Sequence, residues 1–96
     1  MKEYTTNQVQ EKLNEDVKLI DVREADEVAQ GIIPGALHIP LGLLEARMHE
    51  LDKKETYIMV CRSGGRSGRA AELLESHGFT AINMAGGMLD WKGPVE

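Results

Sequence analysis

The sequence predicts an α/β domain built on a mainly parallel sheet, and three observations carry that prediction. Aliphatic runs of four to six residues alternate with stretches whose apolar residues recur at helical spacing. Glycines stand where those stretches should stop. The chain has 96 residues, 42% of them hydrophobic and 28% charged, which suits one folded domain over 1–96 and leaves no room for two.

In chain order, Thr6 or Asn7 is expected to cap a first helix through Leu13. Val17 to Val22 reads as a buried strand. Glu24 to Gln30 is one or two helical turns ended by Gly31. Ala36 to Ile39 is a short strand. Leu43 to Glu50 brings Leu44, Met48 and Leu51 onto one helical face, and Glu55 to Val60 is the next strand. The clearest helix is predicted from Ser67 to His77, lined by Ala70, Ala71, Leu73 and Leu74, with Gly78 placed to close it. Ala81 to Met84 is a further strand, and a last helical stretch is expected from Met88 to Trp91. Sites in such sheets form in loops beyond the strands' carboxyl ends, here after Val22, Val60 and Met84.

Composition removes several function classes. Eleven Lys and Arg stand against sixteen Asp and Glu, a net charge of −5, which argues against a general nucleic-acid surface. One cysteine excludes an intramolecular disulfide and suits a reducing compartment. The first residues lack an apolar signal region, and no run is long enough to span a membrane, so a cytoplasmic location away from membranes is the expectation. His38, His49 and His77 lack ligand spacing and read as structural or surface residues.

The chemistry concentrates in Cys61-Arg62-Ser63-Gly64-Gly65-Arg66-Ser67, between a buried strand and the best helix. Two glycines permit a tight turn with inward-facing amides, an anion-binding concavity. The helix N-terminus and the guanidinium groups of Arg62, Arg66 and Arg69 add positive charge. A thiol there should ionise more readily than a free cysteine. Free cysteines are usually inert packing, but a core has no use for this polar, cationic, glycine-rich flank. A nucleotide-binding P-loop does not fit, because Val60 occupies the place of its first glycine and Arg66 that of its lysine.

Four segments in order resemble the single-domain rhodanese family: Leu19-Ile20-Asp21-Val22-Arg23-Glu24; Gly31-Ile32-Ile33-Pro34-Gly35-Ala36-Leu37-His38-Ile39-Pro40; the Cys61 loop; and Gly86-Gly87-Met88 with Trp91. The resemblance implies a small doubly wound central parallel sheet flanked by helices. It also implies a sulfurtransferase in which Cys61 accepts a sulfane sulfur and passes it on. Arg62, Ser63, Gly64, Gly65, Arg66 and Ser67 would bind the persulfide or the anionic donor. Related phosphatases and arsenate reductases place one residue more between Cys and Arg; the four residues here suit a sulfur atom better than a tetrahedral phosphate.

Asp21 and Arg23 are expected to support the loop rather than react, since buried charges are normally paired. Pro34 and His38 read as architecture, and Trp91 as an anchor for the last helix. The implied partners are small sulfur donors such as thiosulfate or a persulfide, thiol or cyanide acceptors, and a protein of a sulfur relay. Neither cofactor nor metal is required. A phosphatase-like or arsenate-reductase-like use of the loop and a non-catalytic binding module stand as alternatives.

Overall fold

The computed structural model describes residues 1–96. Its five strands form one sheet in the order β1-β5-β4-β2-β3, all parallel. They are β1 (Lys2–Tyr4), β2 (Lys18–Asp21), β3 (Leu37–His38), β4 (Thr56–Val60) and β5 (Thr80–Met84). The helices are α1 (Thr6–Glu11), α2 (Ala25–Val28), α3 (Leu41–Arg47), α4 (Gly65–Ser76) and α5 (Gly87–Asp90), with short 3-10 turns at Lys12–Asn14 and Met48–Glu50.

The alternation of strand side chains divides the core in two. Ile20, Tyr57, Met59, Cys61 and Ala81 face one side, where Leu44 of α3 and Ala70, Ala71 and Leu74 of α4 close over them. Leu19, Ile58, Val60, Ile82 and Met84 face the other, against Val9 of α1, with Met88 and Trp91 packed alongside. The paired alanines of α4 let its backbone lie close to the sheet, and α4 runs against β4 and β5. Burial on both faces explains why the central strands read as continuous apolar runs.

After β2 the chain moves outward to β3; after β4 it moves the opposite way to β5. The carboxyl ends of β2 and β4 therefore flank the point where the winding reverses, the usual place for a site in this architecture. Cys61 is the first residue past β4.

Several boundaries differ from the sequence expectations, each for a local reason. Thr5 caps α1: its hydroxyl accepts from the Gln8 N–H, while the Gln8 side chain accepts from the Thr5 N–H, a reciprocal box one residue before Thr6. α4 starts at Gly65 rather than Ser67, because Gly64 adopts φ +106° and turns the chain directly into the helix. Gly78, also at positive φ, follows its last turn as expected. α3 begins at Leu41, where Pro40 holds the chain extended just before it. α5 ends at Asp90, and Trp91 lies extended beyond it, packed on the second core with its indole N–H donating to the Pro94 carbonyl at 3.0 Å. β1 has no apolar run to announce it; Lys2 and Glu3 are exposed, and its pairing with β5 defines it. No helix is long and apolar enough to cross a membrane.

Leu74, fully buried, ties α4 to the sheet. Leu74→Ala is expected to destabilise the fold by about 2–5 kcal/mol through lost burial and the cavity left behind. Urea unfolding should show this as a lower midpoint at an unchanged slope.

Candidate functional site

Cys61 directly follows β4, with its sulfur at the base of a loop that returns over it. The Gly64 N–H donates to Sγ at 3.0 Å, and the Ser67 hydroxyl lies 3.2 Å from the same atom. The residue is 1% exposed, so these groups stand in for water. Burial alone pushes the thiol pKa up. The Ser67 hydroxyl and the amides of Ser67, Gly64 and Ser63 outweigh it, and the thiol is held below its ordinary value of 9.0.

The inward direction of the amides follows from what holds the carbonyls. The Met88 N–H donates to the Cys61 carbonyl at 2.9 Å, and the Leu89 N–H to the Arg62 carbonyl at 3.0 Å. A trans peptide points its N–H opposite to its C=O. With the Arg62 carbonyl held by the start of α5, the Ser63 N–H on the same peptide is directed back towards the sulfur. Gly87 makes this clamp possible. A Cβ there would collide with the Arg62 carbonyl group, and its φ is +60°. The Gly86-Gly87 pair is therefore a fitting surface for the Cys61 loop.

The arginines divide sharply. The guanidinium of Arg66 is engaged by Glu27 from α2 in a two-pronged pair at 2.6 and 2.7 Å. Glu27 raises the pKa of Arg66, and the Cys61 charge adds to that. Arg62 is exposed and makes no hydrogen bond or ion pair through its side chain. It lines an open cavity of about 180 Å³ with Arg23, Glu27, Gln30, Met88 and Leu89. Arg69 is exposed on α4.

Asp21 and Arg23 form a buried pair, with Arg23 Nη2 2.8 Å and Nε 3.0 Å from the carboxylate. Asp21 also accepts the Arg23 backbone N–H at 3.0 Å. Arg23 Nη2 donates onward to the Gly31 carbonyl at 2.7 Å, which fastens the segment after α2 to β2. His38 meets the Arg23 carbonyl through Nε2 at 2.7 Å, so that nitrogen carries the proton. The three histidines do not converge, and no group of three His, Cys, Asp or Glu side chains is arranged to hold a metal.

Two participants escape sequence reasoning. Glu27 sits in an ordinary helical turn, and only the fold brings it to Arg66. Asn83, 3% exposed on β5, touches both Ser67 and Gly64. A carboxamide inside an aliphatic strand, on the same face as Ala81, is the signal that would have singled it out.

The profile of the Rhodanese-like domain matches residues 5–94. The Bacillus subtilis protein YtwF, named as a candidate sulfurtransferase, is 44% identical over 98 residues, covering 100% of this chain and 95% of that one. The Escherichia coli thiosulfate sulfurtransferase PspE is 37% identical, covering 74% of this chain and 70% of its own. The solved structure of a rhodanese-like domain protein from Staphylococcus aureus superposes with a TM-score of 0.95 at 38% identity, covering 100% of this chain and 97% of that one.

The Arg66 pair makes an acid-stability prediction. Arg66, with the Glu24 backbone amide, lowers the Glu27 carboxyl from 4.5 to about 2. A depressed carboxyl pKa contributes stability that is complete above about pH 4.5 and lost as pH falls through 2. Glu27→Gln should be less stable than the parent by about 1 kcal/mol at neutral pH. Urea midpoints measured down the acid range should show that difference closing towards pH 2.

Proposed function

The chain belongs to the rhodanese-like domain family, and we propose that it is a sulfurtransferase that carries one sulfane sulfur on Cys61. The Cys61 thiolate attacks the outer sulfur of thiosulfate or of a persulfide donor. The donor's S–S bond breaks, and sulfite or a thiolate leaves with the bonding electron pair. Cys61 is then a persulfide whose negative charge lies on the outer sulfur. Cyanide or an acceptor thiolate attacks that outer sulfur, forms thiocyanate or a new persulfide, and releases Cys61 as thiolate. These are two half-reactions through a covalent intermediate, so ping-pong kinetics are expected. The thiolate needs no general base once ionised.

The observation that carries this reading is the pair of donors, the Gly64 N–H and the Ser67 hydroxyl, on the sulfur of an almost wholly buried Cys61. Donors fixed in advance stabilise charge on sulfur as it forms and leaves. Ser63, Gly64, Gly65, Arg66 and Ser67 form the wall of the loop around the transferred sulfur. Arg62, exposed and unpaired, is suited to meet an anionic donor at the mouth. Arg66 has its two prongs on Glu27, which supports a holding role in the loop. An arginine so engaged is not free to grip a phosphate, and this disfavours the phosphatase-like alternative. Asp21 and Arg23 support the loop from β2 without contacting the sulfur.

Thiosulfate should leave one added sulfur atom on the intact protein in non-reducing mass spectrometry, and cyanide should remove it as thiocyanate. Cys61→Ala should show neither the adduct nor turnover; an adduct that persists in that variant refutes the assignment. Arg62→Ala should raise KM for thiosulfate about tenfold with a smaller change for an uncharged persulfide donor. Because the Cys61 pKa is lowered from 9.0, the loading rate should level off below pH 9.0 and fall as pH drops through the depressed value.

A further inference from the structure

The Ser67 hydroxyl owns a single proton and has two acceptors. Asn83 Oδ1 lies 2.5 Å from its oxygen and Cys61 Sγ 3.2 Å. All three side chains are buried, at 0% for Ser67, 3% for Asn83 and 1% for Cys61, so water cannot supply the missing donor. The orientation of the Asn83 amide is fixed by its other end. Nδ2 donates to Glu3 Oε2 at 2.9 Å and to the Gly64 carbonyl at 3.2 Å, both of which only accept. Oδ1 must therefore face Ser67 as an acceptor.

We propose that Asn83 is a positioning residue that competes with Cys61 for the Ser67 proton, so that the hydroxyl turns to the sulfur only when Cys61 itself carries the negative charge. With a neutral thiol the chain is complete in one direction: the Cys61 S–H donates to Ser67 Oγ, and Ser67 donates to Asn83. Ionisation reverses the link. The hydroxyl swings to Sγ, and Asn83 Oδ1 is left facing an oxygen lone pair. In the persulfide of the proposed function, on which this part rests, the charge has moved to the outer sulfur and Ser67 returns to Asn83. Asn83 thus favours the protonated and loaded forms over the bare thiolate. Removing its acceptor should ease ionisation of Cys61.

The charged groups around this chain are few. Arg66 on α4 is held by Glu27 of α2, with Glu24 near it, and Arg62 is exposed in the loop. Asp21 at the end of β2 and Arg23 just beyond it are paired with each other, Asp90 of α5 bonds Thr6, and Glu3 of β1 contacts only the far end of Asn83. None of them replaces the hydroxyl as a donor to Sγ. The Gly64 carbonyl also keeps a partner without Asn83, because it accepts the Gly68 N–H at 3.1 Å.

Cys61 ionisation, followed by thiolate absorbance and by alkylation rate against pH, tests this directly. Asn83→Leu should lower the thiol pKa by about 0.5–1 unit, the worth of one recovered hydrogen bond. The same change in a Ser67→Ala background should leave the pKa where Ser67→Ala alone puts it. Asn83→Val provides a second, strand-favouring variant should leucine not fit. A pKa at or above the parent value, or an equal drop without Ser67, overturns the proposal, because mere loosening of the loop would act in both backgrounds. A lowered pKa in a protein that takes no sulfur from thiosulfate would refute the sulfur-transfer reading alone. A sulfur adduct with an unmoved pKa would refute the proton competition alone.

Discussion

The site depends on the fixed opposition of C=O and N–H across a planar peptide. Amides cannot be turned towards a buried sulfur unless the carbonyls behind them find partners elsewhere. Here the first N–H groups of α5 take the carbonyls of Cys61 and Arg62, and the first turn of α4 takes that of Gly64. The reactive loop is thus held between two helix starts, one that follows it directly in the chain and one that comes only after the next strand. Gly64 and Gly87 are the points of closest approach, and a side chain at Gly87 would separate the layers outright.

Stabilisation of the sulfur comes mostly from neutral groups at hydrogen-bond distance. Full charges near the site are either paired or in solvent. Arg66 is neutralised by Glu27, Arg23 by Asp21, and Arg62 faces solvent. This division has a physical advantage in a chain of net charge −5. Short, oriented dipoles act in a dry pocket with little screening, while an unpaired guanidinium buried beside the thiol would carry a large desolvation cost. Exposed Arg62 can attract an anion without that cost.

The α/β class, strands β2 to β5 and the helix after the Cys61 loop are legible in the sequence, most clearly where burial on both faces leaves continuous aliphatic runs in β2, β4 and β5. The loop is legible because its composition contradicts its position: polar, cationic residues directly after the most apolar strand. β1 is not legible, since Lys2, Glu3 and Tyr4 owe their conformation to pairing with β5 rather than to any pattern of their own. The start of α4 is misread by two residues because a glycine at positive φ replaces the usual side-chain cap. Glu27 and Asn83 stay hidden for a different reason. Their partners lie 39 residues away for Glu27 and 16 for the Ser67 contact of Asn83, so only the completed winding brings them together.

The borders of the sheet are short as well as modestly apolar. β1 offers three residues and β3 two, and the outer positions of β1 include a lysine and a glutamate. Free backbone groups along a border are a template on which a second molecule can stack. With so few in line, and with ionic side chains beside them at one border, the fold gives little purchase for edge-to-edge accretion into fibres, although its three longest strands are rich in residues that favour such growth.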